Sequence, residues 1–318
     1  MRYLSPLVGL FLLACQPSPE EGPLPRVIVS TDIGGSDPDD FQSMVHFLVY
    51  ADRLDIEGLV SSPPQAGRLE DLLEVIDAYE KDYPHLSEHG DFPTPDYLRQ
   101  VSKQGATDTL ETEAPTDLSE GAKWIIQQAK AEEAPLYVLV WGSITDVAQA
   151  VHTDPSIKEK LRVYSIGSWN TRQDPNAREY LYENHPDLWW IENNTTFRGM
   201  YMGGMQEGDY ENTAFVEKHV KGHGALGDLF WEKKTDIKMG DTPSVLYLLS
   251  GSPDDPTDES WGGTFVKDNH GPNYWTDDPN PELVENNRPG ARTVNRYRQA
   301  YLDDWAERMD WLLPDAEN

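Results

Sequence analysis

Short apolar strands alternate with amphipathic helices along this chain, and that alternation constrains the fold more than any other feature. Residues 136–141 are apolar at almost every position, which is typical of a strand buried on both faces. The same strand-then-helix pairing recurs from residue 26 onwards. It predicts an α/β fold, with a mainly parallel sheet flanked by helices. Strands are predicted at 27–30, 54–60, 136–141, 161–166 and 188–191, and helices at 40–50, 69–79, 122–131, 144–151, 174–183 and 294–313.

Residues 250–289 interrupt this alternation. The segment is rich in Pro, Gly and Asp, which predicts a long irregular C-terminal insertion, and long loops of this kind are often functional. No linker divides residues 26–318, so we expect them to form one domain. In a parallel α/β sheet the ligand crevice lies beyond the carboxyl ends of the strands, and we expect the functional residues there.

The first 25 residues differ in character from the rest. An apolar run at 7–13 ends just before Cys15, the only cysteine, and is too short to span a bilayer. It fits the apolar part of an export signal, and residues 12–15 resemble the processing site of bacterial lipoproteins. We therefore expect a signal peptide at 1–14, lipidation at Cys15 and a flexible tether at 15–25, with an ordinary signal peptide as the alternative. The mature protein is then expected to be an exported bacterial lipoprotein of the cell envelope, held to a membrane by lipid alone.

The charge of the chain excludes one class of partner. The sequence has 26 Lys and Arg against 56 Asp and Glu, a formal net charge of −30. A nucleic-acid binder needs a cationic surface to displace counterions from phosphates, so nucleic acid is not an expected partner. Most of the acidity is typical of a solvated surface.

The most informative acidic segment is residues 30–40, between the first predicted strand and the first predicted helix. It holds Asp32, Asp37, Asp39 and Asp40, whose like charges repel one another unless a cation or a helix N-terminus compensates them. Oxygen ligands at this density suit Ca²⁺ or Mg²⁺. The alternative is an acidic turn in which Asp39 or Asp40 caps the helix.

Four segments resemble, in order, those of the nucleoside hydrolase superfamily, which opens with a strand and an Asp-Thr-Asp-Pro-Gly-x-Asp-Asp loop. Residues 30–40 form a related loop, and residues 142–148 are similar to the family's Gly-Pro-Leu-Thr-Asn-x-Ala. Residues 168–177 resemble Glu-Phe-Asn-x-x-x-Asp-Pro-x-Ala, and residues 241–247 resemble His-Asp-x-x-Ala-Val-x-Tyr. Residues 32–46, 196–201, 261–263 and 273–275 are similar to a bacterial nucleoside-hydrolase-like branch labelled cellulose-binding.

The resemblance implies a Ca²⁺ site at the sheet edge. It assigns Asp32 as a metal ligand and as the base toward water. Asp40, Asp241 and the main-chain carbonyl of Thr145 would complete the protein ligands. Because the loop at 30–40 is about three residues longer than the family's, Asp37 competes with Asp40 for the ligand position.

The resemblance also implies how a sugar would be bound. Asp39 and Asn170 would contact its hydroxyls, and cleavage would pass through an oxocarbenium-like sugar. Two departures affect recognition, since Ser168 replaces a glutamate that contacts the sugar and Gly240 replaces a histidine that serves the leaving group.

Other residues in or near the insertion are candidates for the missing roles. His270 is a candidate for leaving-group activation, although a lone loop histidine is more often a surface residue. Trp261 and Trp275 are candidates for platforms that stack on a sugar. Arg198 is expected to pair with a carboxylate, and a structural ion pair is the favoured interpretation.

Two functions follow as expectations. The first is a Ca²⁺-dependent hydrolase that cleaves an N-glycosidic, nucleoside-type bond or a related glycosyl bond. The second is a module on the same fold that binds carbohydrate, such as cellulose, with little or no turnover. The expected partner is a sugar-containing small molecule or polysaccharide, and a homo-oligomer is possible. Retention of Asp32, Asp39, Asp40, Asn170 and Asp241 favours catalysis, or at least the binding of a sugar diol.

Overall fold

The computed structural model describes residues 22–62, 64 and 66–314. Its strands are β1 Arg26–Thr31, β2 Asp55–Ser61, β3 Ser102–Gln104, β4 Leu136–Val140, β5 Leu161–Ile166, β6 Trp190–Asn193, β7 Phe265–Lys267 and β8 Tyr274–Asp277. Its α-helices are α1 Asp39–Val49, α2 Leu69–Leu86, α3 Pro95–Val101, α4 Glu120–Ala131, α5 Thr145–Thr153, α6 Trp169–Gln173, α7 Pro175–Asn184, α8 Asn212–His219, α9 Gly224–Lys233, α10 Thr242–Leu249, α11 Ala291–Asn295 and α12 Arg298–Asp310. The expected signal peptide and Cys15 lie outside the described residues.

The strands form one eight-stranded sheet in the order β3-β2-β1-β4-β5-β6-β8-β7. Every neighbouring pair is parallel except β7 and β8, which are antiparallel. Consecutive strand residues point to opposite faces, so β1 sends Val27 and Val29 into one hydrophobic core and Ile28 into the other. Helices α1, α2, α9, α10 and α12 pack in the first core and α4, α5 and α7 in the second. The predicted mainly parallel sheet flanked by helices is confirmed.

Two regions differ from the sequence prediction. The insertion predicted to be irregular contains β7 and β8, because β8 pairs along β6 and so extends the sheet. The single helix predicted at 294–313 is two helices, α11 and α12. At the break, Asn295 and Arg298 turn toward the loop at 200–210 and donate hydrogen bonds of 2.9 and 2.6 Å to the carbonyls of Met202 and Met200.

None of the helices in the described part of the chain is long and apolar enough to cross a membrane. The expected lipid attachment at Cys15 stays a prediction, since it falls before residue 22.

Candidate active site at the carboxyl edge of the sheet

A cavity of about 350 Å³ opens where β1, β4 and β5 end. Its walls are the loop after β1, Trp141 after β4, the segment at 166–172 after β5, and residues from 197–201 and 238–241. This is the edge where ligands bind in parallel α/β sheets, and the volume falls within the usual range for small-molecule sites.

Four aspartates line one side of the cavity; Asp39, Asp40 and Asp241 form a close cluster, and Asp32 lies beside that cluster rather than within it. Asp39 and Asp40 lie in the first turn of α1, Asp241 directly precedes α10, and Asp32 follows β1. Carboxylate oxygens of Asp39, Asp40 and Asp241 all lie within 4.8 Å of one another. Pro38, rather than either aspartate, occupies the cap position of α1, which has no side-chain cap. The cluster therefore brings together acids that are about 200 residues apart in sequence, and the capping alternative is not seen.

Burial and mutual repulsion disfavour the charged forms of these acids. Burial, partly offset by a hydrogen bond with Asp40, raises the pKa of Asp32 to about 6. Burial and the charge of Asp32 raise the pKa of Asp39 to about 6. Burial, followed by the neighbouring carboxylates, raises the pKa values of Asp40 and Asp241 well above the usual range. Positive charge placed among them would reverse this penalty.

The residues present fit a hard divalent cation. Asp241 is only 3% exposed, yet its Oδ2 is buried without a hydrogen-bond partner. A buried carboxylate oxygen of this kind is costly unless it has a ligand. The ligand atoms that Asp39, Asp40 and Asp241 offer are all carboxylate oxygens, which Ca²⁺ and Mg²⁺ prefer.

The structure separates the two aspartates that compete for one ligand position. Asp37 forms an ion pair with Lys238, and its side chain is 44% exposed. Asp40 is buried, belongs to the cluster and accepts a hydrogen bond from the hydroxyl of Thr31. Geometry therefore places Asp40 in the cluster and Asp37 at its rim.

Asn170 and Thr145 have different positions relative to the cavity. Asn170 lines it, and its Nδ2 donates to the carbonyls of Trp141 and Ile166 at 2.5 and 3.0 Å, which fixes the side chain in the wall. Thr145 is buried at the start of α5, where its hydroxyl donates to Asp174 at 2.7 Å. Thr145 is not among the residues that line the cavity, and its role as a main-chain ligand stays a prediction.

The structure contradicts the roles expected for His270, Trp275 and Trp261. His270 precedes β8, at the opposite edge of the sheet from the cavity, and stacks on Tyr182 with ring centroids 3.3 Å apart. Trp275 is 7% exposed in the core, with its ring centroid 5.0 Å from that of Trp189. Trp261 is partly buried against the same core and does not line the cavity. None of the three lines the cavity beside the aspartates.

Sequence reasoning missed an aromatic residue at the cavity mouth. Trp169 begins α6 with 53% of its surface exposed, and the guanidinium carbon of Arg172 lies 5.5 Å from its ring centroid. An exposed tryptophan on a cavity wall is a suitable stacking surface for a sugar. Its position in the sequence could have identified it, because it is next to Asn170 in the segment 168–177, which resembles the family's motif.

Arg198 lines the cavity without the carboxylate partner expected for it. Its Nη1 donates to the hydroxyl of Tyr201 at 3.0 Å and its Nη2 to the Oγ of Ser168 at 3.3 Å. Among the described residues no carboxylate lies within ion-pair distance of it, and its Nε is buried without a partner. Ser168 has φ 60° and ψ −100°, a strained conformation of the kind that concentrates at functional sites. The predicted structural ion pair is therefore not formed.

Gly240 has a steric role at the cluster. A Cβ at this position would lie 2.8 Å from Oδ2 of Asp39, and the N–H of Gly240 donates to that carboxylate instead. A histidine here would therefore require Asp39 to move.

Comparison with known proteins agrees with the fold. The chain is similar to a nucleoside hydrolase-related hypothetical protein from Saccharophagus degradans, associated with carbohydrate metabolism, with 26% identity, a TM-score of 0.73, and coverage of 92% of this chain and 73% of that one. An inosine-uridine preferring nucleoside hydrolase from Bacillus anthracis is 15% identical with a TM-score of 0.53, over 90% of this chain and 100% of that one.

The effector protein XopQ, solved with adenosine diphosphate ribose, is 12% identical with a TM-score of 0.56, over 91% of this chain and 95% of that one. At these lower identities the likeness shows the fold alone. No curated protein matches the sequence. The model of one family, described as cellulose-binding Sde182, nucleoside hydrolase-like domain, matches residues 26–265. The chain therefore belongs to this cellulose-binding, nucleoside hydrolase-like family.

Proposed function

We propose that this protein binds Ca²⁺ and a sugar in the cavity and hydrolyses an N-glycosidic or related glycosyl bond. One observation carries the proposal: Asp39, Asp40 and Asp241 bring carboxylate oxygens within 4.8 Å of one another beside an open cavity, and one buried oxygen of Asp241 has no partner. A site with this charge and this access suits a cation that also contacts a ligand.

Asp40 and Asp241 are the ligands common to the set expected from the sequence and to the cluster of oxygens. Asp32, which is hydrogen-bonded to Asp40, is the proposed third carboxylate. A divalent cation held there supplies positive charge that orients sugar hydroxyls and increases the acidity of water.

The chain's own side chains account for activation of the water and for binding of the sugar, and the leaving group takes its proton from water in the open cavity. Asp32 accepts the proton of the attacking water, since it faces the cavity beside the cluster. Asp39 and the Oδ1 of Asn170 accept hydrogen bonds from the hydroxyls that fix the sugar, since the Nδ2 of Asn170 already donates to two main-chain carbonyls. The ring of carboxylates stabilises the positive charge that develops on the sugar as the bond breaks.

A screen of nucleosides and glycosides in the presence of Ca²⁺ tests the proposal, with release of reducing sugar as the measurement. We expect turnover of at least one compound, lost on chelation and lost in Asp32→Asn. Asp77→Asn is the matched control, because Asp77 is an exposed surface carboxylate paired with Arg99. Turnover that persists in Asp32→Asn would remove this residue as the base.

The alternative function is carbohydrate binding without turnover. It is favoured by the family's cellulose-binding description and by exposed Trp169 at the cavity mouth. Pull-down on insoluble cellulose tests it, with Trp169→Ala as the variant. Retention of the wild type on cellulose, its loss in the variant, and no turnover in the screen would favour binding over catalysis.

A further inference from the structure

The cavity has two chemically different sides. The aspartates form one side, and the remaining lining, which is otherwise apolar or neutral apart from Asp37, includes three cationic side chains, those of Arg172, Arg198 and Lys238. Such a group is unexpected in a chain with a formal charge of −30, where carboxylates to neutralise cations are plentiful. Lys238 is neutralised by Asp37. In the described ranges, neither Arg172 nor Arg198 has a carboxylate within ion-pair distance.

Arg198 is the less solvated of the two unpaired arginines. It is partly buried, its guanidinium carbon lies 4.8 Å from the ring centroid of Phe197, and its Nε has neither a partner nor access to water. Its two remaining nitrogens donate only to neutral hydroxyls, those of Tyr201 and Ser168. A partly buried cation with an unused donor is costly unless an anion completes it.

Ser168 explains why the protein has no carboxylate of its own beside Arg198. The related segment has a glutamate where this chain has Ser168, and the Oγ of Ser168 is 3.3 Å from Nη2 of Arg198. A neutral side chain beside Arg198 leaves its guanidinium open on the cavity side. A planar guanidinium binds carboxylate or phosphate through paired hydrogen bonds.

We propose that the ligand of this cavity is an anionic sugar, whose phosphate or carboxylate group is bound by Arg198 with support from Arg172. The proposal rests on the function proposed above, because it assumes that the aspartate side holds the sugar hydroxyls. The two sides then fix the orientation of the ligand, since the aspartates repel its anionic group. Trp169, next to Arg172, covers the sugar face at the cavity mouth.

Calorimetric titration of the full chain tests the proposal at about 0.15 M salt, where long-range charge effects are screened. The probes are two matched pairs in the presence of Ca²⁺: ribose with ribose 5-phosphate, and glucose with glucuronate. We expect the anionic member of at least one pair to bind at least about tenfold more tightly than its neutral partner. The pair that shows the difference identifies phosphate or carboxylate as the recognised group.

Three variants assign the preference to its residue. Arg198→Met is expected to remove the preference while neutral sugars bind as before, and Arg198→Lys is expected to keep part of it because it keeps the charge. Arg162→Met is the matched control, because Arg162 also packs over an aromatic ring, that of Trp189, but lies outside the cavity. Circular dichroism confirms that each variant is folded.

The outcomes separate this inference from the proposed function. Ca²⁺-dependent binding of neutral sugars with no preference for the anionic members overturns the inference and leaves the proposed function standing. A preference that survives in Arg198→Met also overturns it. Binding of none of the four probes overturns both.

Discussion

The protein has two kinds of buried acid. In one kind, neighbouring donors compensate the negative charge of the carboxylate, and in the other kind they do not. Glu192 on β6 is 2% exposed, but Arg178 donates to it at 2.7 and 3.1 Å and Tyr274 donates through its hydroxyl. The cluster at the carboxyl edge has a higher density of charge, and Oδ2 of Asp241 has no donor. Burial of an acid therefore does not identify a site in this protein, whereas the absence of compensation does.

Two further acids support this distinction. Asp146 is buried and accepts hydrogen bonds from the hydroxyls of Ser62 and Ser119 and from the N–H of Ala106. Asp174 is also buried and accepts from the hydroxyls of Ser143 and Thr145 at 2.6 and 2.7 Å. Donors within the fold satisfy both carboxylates, so neither needs an external cation.

The largest expected effect is the loss of the cation in Asp241→Ala. The change removes a carboxylate with an unused oxygen, and we expect Ca²⁺ affinity to fall at least about a hundredfold in calorimetry. Folding should persist, because a repulsive buried charge is removed at the same time. Unchanged affinity would show that the cluster is not the Ca²⁺ site.

Glu192→Gln should have the opposite effect: it should lower the stability of the fold and leave Ca²⁺ affinity unchanged. The change removes the buried counterion of Arg178 and leaves it only the exposed carboxylate of Glu179, and breaking a buried pair costs about 3–5 kcal/mol of unfolding free energy. Ca²⁺ affinity should stay the same, because Glu192 does not line the cavity. Urea unfolding and calorimetry measure the two quantities, and a loss of Ca²⁺ affinity would contradict the proposed division between the two kinds of acid.

The pH dependence should also follow from the cluster. Asp32 and Asp39 have pKa values raised from 3.8 to about 6, so in the metal-free protein their stability contribution is present at low pH and lost as the pH rises through about 6. A bound cation offsets that loss, because it favours the ionised forms. We expect the increase in Tm produced by Ca²⁺ to be small at pH 5 and at least several degrees at pH 8.

The difference between samples with and without Ca²⁺ isolates this effect. Burial lowers the pKa of His46 to about 3, so this residue also makes stability depend on pH, but it contributes equally to both samples. An increase in Tm that is the same at pH 5 and pH 8 would argue against ionisation of the cluster as its cause.

The smallest effect is expected for His270→Ala. The change removes stacking on Tyr182, which costs about 1 kcal/mol of unfolding free energy, and leaves Ca²⁺ affinity and turnover unchanged. Turnover assays on the variant measure this directly. A tenfold or greater loss of turnover would show that His270 contributes to catalysis.

The sequence predicted the parts of the site that local pattern specifies. Apolar strands followed by helices located the carboxyl edge, and the loop at 30–40 located Asp32, Asp39 and Asp40 on it. Local pattern does not show which edge of the sheet a later loop joins. His270 and Trp275 were therefore assigned to the wrong place, since β8 enters the sheet with His270 at the amino edge and Trp275 in the core.

The sequence selected Arg198 but predicted the wrong partner for it, a carboxylate, for a related reason. Among the described residues Arg198 donates to the hydroxyls of Tyr201 and Ser168 and has no carboxylate within ion-pair distance, which only the packed structure shows. A strongly acidic sequence favours the opposite expectation, that every buried arginine is paired.

The most direct test of the account is a crystal structure grown with Ca²⁺, with the ion located by its anomalous scattering. The account predicts one Ca²⁺ between Asp40 and Asp241 at the carboxyl edge of the sheet, with the free Oδ2 of Asp241 among its ligands. A structure in which these carboxylates are bridged by protons or water alone at saturating Ca²⁺ would contradict it.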